Sequence, residues 1–280
     1  MRRIATLMAL VLLASCTDFM KEQHNTILHF SPYVQEPFTK AAPGEVFSKL
    51  NVMMFDAAGE KVFDKVKTQQ SDEEGFGTLA ITLPEGIYTV VAVGHSSKVS
   101  ATIKSPEAVQ FTAKDGEKLT DTFNYCGKIE VTEEKKTHEL KMTRVAAMFR
   151  LVLTDKEMPV ALAKMKLEYT GGSANYNPST GQGITKSSQS ETRARSEDGI
   201  YEVYTFPYLA SSGVLTIKAS ALDGDGNILA SHTFKDVPIK VNTITSYKGA
   251  FFGDMPGSGS QTAGTFTVDP KWSETNEYTY

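Results

Sequence analysis

The sequence predicts an all-β protein built as two β-sandwiches in tandem. Three observations carry this. Apolar runs are short, either alternating or rich in β-branched and aromatic residues, and turn signals separate them about every 8–12 residues. Beyond the first sixteen residues, no stretch sustains a 3.6-residue period for more than about two turns. The chain has 280 residues, and what remains after a short leader suits one large or two medium domains.

The leader comes first. Arg2 and Arg3 supply positive charge, and residues 4–13 follow with only Thr6 polar. Ten residues of helix rise about 15 Å, roughly half a bilayer core, so the run is too short to span. A basic start, a short apolar run and small residues before a cut make an export signal over residues 1–15. Leu13-Ala14-Ser15-Cys16 resembles the lipobox of bacterial lipoproteins. That resemblance implies cleavage between Ser15 and Cys16, a diacylglycerol on the Cys16 thiol and a third acyl chain on the freed amino group. A plain secretory signal needs no thiol there. Two or three acyl chains, at about 0.8 kcal/mol per buried methylene, give stable anchoring. Residues 16–24 then form a lipidated, polar tether. No later run reaches the roughly 18 apolar residues of a membrane-spanning helix.

From Asn25 the pattern turns to strands, and residues 25–142 read as the first sandwich. Residues 50–55 (LNVMMF) form a short apolar run, Asp56 to Gly59 a turn, and residues 61–66 the returning strand. Residues 68–75 read as a polar loop. Residues 78–83 alternate, with Leu79, Ile81 and Leu83 on one face, and Pro84-Glu85-Gly86 ends them. Residues 87–93 (IYTVVAV) have the composition of a central strand. Residues 99–103, 108–111, 119–125, 128–131 and 137–142 complete the set, and the boundary falls near Met142.

Residues 143–280 read as the second sandwich. Its strands are RVAAMFRLVL (144–153), 163–170, 201–206, 214–222, 228–234 and 241–252, with room for one short helix at 156–163. Residues 171–197 are long, polar and without periodicity, which predicts a loop or mobile insertion. Residues 253–264 (GDMPGSGSQTAG) read as a flexible linker before a last short strand at 265–268. That strand can pair with its own sandwich or with a neighbouring subunit.

Charge and motifs narrow the function. The formal charge is -4, and -6 once Arg2 and Arg3 leave with the leader, which argues against a nucleic-acid partner. With Cys16 acylated, Cys126 has no partner in the chain, so a disulfide framework is excluded. Beside Phe123 and Tyr125, Cys126 reads as a small buried strand residue, with a reactive thiol as the other reading. Asp223-Gly224-Asp225-Gly226-Asn227 has a calcium-loop look, but the twelfth position is Phe234 where a bidentate glutamate is needed, and Asp-Gly between apolar runs is also a hairpin signal. His24, His29, His95, His138 and His232 lack zinc spacing, so no metal or cofactor is expected. There is no G-x-S-x-G elbow and no P-loop, and Gly171-Gly172 and Gly181-x-Gly183 lie in a polar stretch, so no catalytic activity is expected. Tyr204, Phe206 and Tyr208 share a face if extended, either as core or as a sugar-stacking platform. The single tryptophan, Trp272, lies close to the flexible end. Between Arg3 and Arg144 the chain contains no arginine, although it has 23 lysines.

Several segments together resemble the FimB-type fimbrial anchor lipoprotein family of the Bacteroidales, minor subunits of type V pili. They are the lipobox at Cys16, LNVMMFDAAGEKV (50–62), FGTLAITLPEGIYTVVAVGHSS (76–97), LTDTFNYCGKIEV (119–131), RVAAMFRLVLTD (144–155), KLEYTGG (166–172) and SYKGAFFG (246–253), in family order. The resemblance implies two transthyretin-like Greek-key sandwiches and attachment of a fimbrium to the outer membrane through the acyl chains on Cys16. In some members it also implies a limit on fimbrial length. Its partners are then fimbrial shaft subunits, joined by strand pairing. Only Cys16 carries over as a site. In these bacteria acidic residues after the lipidated cysteine direct surface exposure, and here Asp18 and Glu22 are present. Polymerising subunits of such pili are cut by an arginine- or lysine-specific protease. The arginine-free stretch gives that protease no arginine at which to strip the lipidated end, while Lys40 and Lys49 remain. The competing readings are a surface glycan-binding lipoprotein and a polymerising or tip subunit.

Overall fold

The structure is a computed structural model that describes residues 22–33, 42–112, 119–211, 213–252, 262–263 and 274–279. Cys16, Trp272 and the strand expected at 265–268 lie outside the described residues. The fold is all-β, with two sandwiches in tandem and, among the described residues, one α-helix of 4 residues, α1 (Pro43–Val46), and one 3-10 turn at Leu209–Ser211.

The first half contributes β1 (Gln23–Pro32), β2 (Lys49–Phe55), β3 (Lys67–Gln70), β4 (Thr78–Pro84), β5 (Gly86–His95), β6 (Ala101–Ser105), β7 (Ala108–Phe111), β8 (Thr122–Val131) and β9 (Thr137–Arg144). Seven of these hydrogen-bond in the order β3-β2-β5-β8-β9-β1-β4. β8 and β9 pair only at Phe123↔Arg144 and Asn124↔Thr143, where the path turns from one layer to the other. Strict alternation in THELKMTR turns His138, Leu140, Met142 and Arg144 inward. Leu140 and Met142 meet Leu28, Phe30, Leu50, Val52, Met54, Val90, Ala92, Phe123 and Val131 in one core. β2 and β5 read as continuous apolar runs because both of their faces are covered, and Met53, Phe55, Val91 and Val93 point into a second cluster.

The second half contributes β10 (Ala147–Leu153), β11 (Lys164–Thr170), β12 (Gly172–Ser173), β13 (Asn175–Asn177), β14 (Gln182–Gly183), β15 (Ser188–Ala194), β16 (Ile200–Pro207), β17 (Val214–Leu222), β18 (Ile228–Pro238), β19 (Thr243–Gly249), β20 (Thr262–Ala263) and β21 (Glu274–Thr279). One layer runs β12-β16-β10-β19-β21-β20 and the other β15-β11-β17-β18. Phe149, Leu151, Met165, Leu167, Tyr169, Val203, Ile217, Phe234 and Tyr247 fill the space between them.

Four sequence expectations are corrected. Residues 171–197 are not a loop, because they carry β12, β13, β14 and β15. SQSETRA hid as a strand because its inward residue is Glu191, buried and paired with Arg193 and the Tyr169 hydroxyl. The partner of β2 is β3 at Lys67–Gln70 and not residues 61–66, where Lys61 makes a single bridge to Phe55. Gln69 fixes that polar edge by donating to the Thr78 carbonyl and accepting from the Gly77 amide. Residues 119–125 and 128–131 were separate expectations, but Thr122–Val131 is one strand, with Gly127 beside the Tyr125 ring. Residues 156–163 hold turns and no helix. At the end of the chain, Glu274–Thr279 pairs parallel with β19, and Thr262–Ala263, inside the expected linker, pairs with β21.

Candidate functional site

Two strands of the second half cross to the first. β13 pairs with β7, Asn175↔Gln110 and Tyr176↔Val109, and a small sheet β14-β13-β7-β6 results. It lies over the outer face of β2 and β5. Tyr176 and Phe206 come from the second half and Phe111, Val91 and Val93 from the first, all in one buried cluster. The Tyr176 and Phe206 rings lie 4.3 Å apart, and Phe206 stacks on Phe111 at 5.8 Å.

Polar groups at this junction are paired. The Tyr176 hydroxyl donates to Asn124 Oδ1 at 3.1 Å, and Asn124 Nδ2 donates to the Pro178 carbonyl at 2.6 Å. Burial pushes the Tyr176 phenol well above its ordinary value, so it stays a neutral donor. Cys126 is half-buried, 3.5 Å from Ser179 Oγ, with its thiol 3.7 Å from the Pro106 carbonyl. Arg144 Nε donates to both oxygens of Asp121 at 2.8 and 3.0 Å, its Nη1 reaches Asn242 Oδ1, and its guanidinium lies 4.6 Å above the Phe123 ring.

The candidates read from sequence are not brought together. Ser15 and Cys16 lie outside the described residues. Tyr204, Phe206 and Tyr208 form no exposed platform: Phe206 is in the junction core, while Tyr204 and Tyr208 are half-buried. Tyr204 packs on Met148 and Ile244. Asp223 turns its carboxylate onto its own loop, accepting from the amides of Asp225 and Asn227 and from Asn227 Nδ2, as a hairpin turn requires. Among the described residues no three His, Cys, Asp or Glu side chains gather as a metal site. No described helix is long and apolar enough to cross a membrane. Sequence reasoning missed the junction, whose anchor, Tyr176, sits in a strand of 3 residues.

The two tandem sandwiches are tied by strand pairing and aromatic packing. The comparisons give the chain a family. The model for fimbrillin-A associated anchor proteins Mfa1 and Mfa2 matches residues 15–278, and the chain belongs to that family. It is accordingly a fimbria-associated surface protein that associates with fimbrial components. No curated protein matches the chain. Among solved structures, a candidate polysaccharide-binding protein of Bacteroides thetaiotaomicron shares the fold at TM-score 0.53 and 10% identity, with 74% of this chain and 79% of that one covered. A candidate adhesin of Bacteroides ovatus aligns at TM-score 0.50 and 15% identity, covering 78% and 80%. The fimbrial anchor protein Mfa2 of Porphyromonas gingivalis aligns at TM-score 0.44 and 13% identity, covering 74% and 81%.

Proposed function

We propose that the chain is a lipid-anchored fimbrial subunit that holds the fimbrium at the outer membrane and, by staying at its base, limits its length. The observation that carries the reading is the family match over residues 15–278, joined to a lipobox that ends at Cys16. On this reading residues 1–15 are removed, residues 16–24 tether the protein, and sandwiches over 25–142 and 143–280 face outward on the cell surface. The role is structural and needs no catalytic residue. Shaft subunits join by strand pairing, for which an edge strand such as β18 is suited.

The test is biochemical. Cys16→Ala should release the protein from the membrane fraction, and globomycin should leave an unprocessed precursor. Mass spectrometry of protein from intact cells should find an acylated peptide beginning at Cys16. A mature N-terminus beyond Lys40 would make the chain a polymerising subunit, and a Cys16→Ala protein still tightly bound to membrane would refute lipid anchoring.

A further inference from the structure

A cleft of about 790 Å³ opens between the halves. The first half supplies Ser96, Thr120 and Asp121, and the second supplies walls from β10, β15 and β16. The volume lies within the range of small-molecule sites, roughly 300–1,000 Å³.

Its cations are unlike those of the rest of the protein. After Arg3 the chain has only Arg144, Arg150, Arg193 and Arg195, against 23 lysines. Arg150, Arg193 and Arg195 line the cleft, Arg144 holds Asp121 in its wall, and no lysine is among the lining residues described. General surface charge would draw on lysine. Arginine offers a planar fork of donors that matches a carboxylate bidentately, which an ammonium cannot do.

Arg193 is paired with Glu191 and donates to the Glu202 carbonyl, but the local carboxylates do not consume the forks of Arg150 and Arg195. Asp121 is held by Arg144. Asp198 accepts from Ser196 Oγ and from the Ile200 amide. Glu202 takes Arg150 through Nε at 2.8 Å, which leaves the two terminal nitrogens of Arg150 without a hydrogen-bond partner among the described residues. Arg195 is exposed and spends one nitrogen on the Pro159 carbonyl at 3.4 Å. What the cleft has to offer a ligand is therefore guanidinium donors, with carboxylate lone pairs on Asp198 and Glu202 beside them.

We propose that this cleft binds an acidic saccharide, with the sugar carboxylate on the forks of Arg150 and Arg195 and sugar hydroxyls donating to Asp198 and Glu202. The mixed lining favours a sugar over an acidic peptide, because a run of acidic side chains would meet Asp198 and Glu202 with like charge. Tyr204 lines the cleft, while Phe206 lies in the junction core and Tyr208 is not among the lining residues, and the proposal does not rest on the anchor reading.

The experiment is titration calorimetry on the full chain in detergent with trigalacturonate, sialyllactose and a hyaluronan tetrasaccharide, and with maltotriose and penta-glutamate as neutral and peptide probes. At least one acidic saccharide should bind and maltotriose should not. Arg195→Lys, which keeps the charge at an exposed position, should weaken binding about tenfold while near-UV CD stays unchanged, and Arg150→Lys should do likewise. Absence of binding by all three acidic saccharides at millimolar concentration, equal binding by penta-glutamate, or unchanged affinity in both variants would overturn the proposal.

Discussion

Removing the Tyr176 ring should uncouple the two halves. Tyr176 is fully buried, packs 4.3 Å from Phe206 and donates its hydroxyl to Asn124 Oδ1. Truncating a buried aromatic to alanine costs about 3–5 kcal/mol. Stranding a buried acceptor adds about 1–3 kcal/mol, and here Asn124 Oδ1 is that acceptor. Tyr176→Ala should therefore cost about 4–8 kcal/mol, a large share of the roughly 5–15 kcal/mol that holds a domain folded. Tyr176→Phe keeps the ring and should cost about 1–3 kcal/mol. The loss should fall on the first half, since the cluster around Tyr176 covers the outer face of β2 and β5. Urea unfolding followed by near-UV CD and by limited proteolysis reads both quantities. The wild type should unfold in one transition, and Tyr176→Ala in two, with the first half melting earlier. A loss below about 1 kcal/mol with a single transition retained would refute the coupling.

Three further outcomes follow from local geometry. His95 is buried, its Nδ1 accepts from the Ser97 amide and its Nε2 donates to Asn51 Oδ1, so the ring is satisfied only when neutral; burial first, then nearby Lys49, lowers its pKa from 6.5 to about 4. The stability this confers is complete above pH 6.5 and is lost as pH falls toward about 4, so the urea midpoint at pH 5 should reflect a loss of about 2 kcal/mol that His95→Gln no longer shows. Gly171 has φ +113°, and a Cβ there would stand 2.2 Å from the Val214 carbonyl oxygen, so Gly171→Ala should cost about 2–4 kcal/mol in thermal unfolding. Tyr278 of β21 stacks on Tyr247 at 4.8 Å, so Tyr278→Ala should destabilise the second sandwich by about 1–2 kcal/mol and increase proteolysis of β21, whereas an unchanged digest would deny that β21 is seated on β19.

Central strands were legible because their burial is written in their composition. GIYTVVAVGH is apolar along nearly its whole length since both faces are covered, and THELKMTR alternates since one face is. What escaped was decided by partners far along the chain. NYN is too short to carry a period, and only β7, more than sixty residues earlier, makes it a strand. SQSETRA reads as loop because its inward side chain is a glutamate, whose partners Arg193 and Tyr169 are set by the fold. The arginine cleft left a sequence signal that points two ways. The arginine-free stretch before Arg144 fits an end that protease processing spares. The same skew confines every later arginine to residues 144–195, and the fold gathers them at one junction.

The same junction bears on how a subunit tethered at Cys16, as proposed, would carry load. Tension from the membrane enters at Gln23 and runs along β1, which is not an edge strand: it is antiparallel to β4 on one side and parallel to β9 on the other. Extracting it would break two ladders together. The covalent path onward is short, since β9 ends at Arg144 and β10 begins at Ala147 with Val145 and Ala146 buried between them. A bare two-residue link would act as a hinge and concentrate strain. The clasp of β13 on β7, with Tyr176 and Phe206 packed beneath it, gives the load a second route between the halves. If that route matters, single-molecule extension from the first sandwich to the second should show one high-force event in the wild type. Tyr176→Ala should split it into two weaker ones, and an unchanged force trace would assign the load to the covalent link alone.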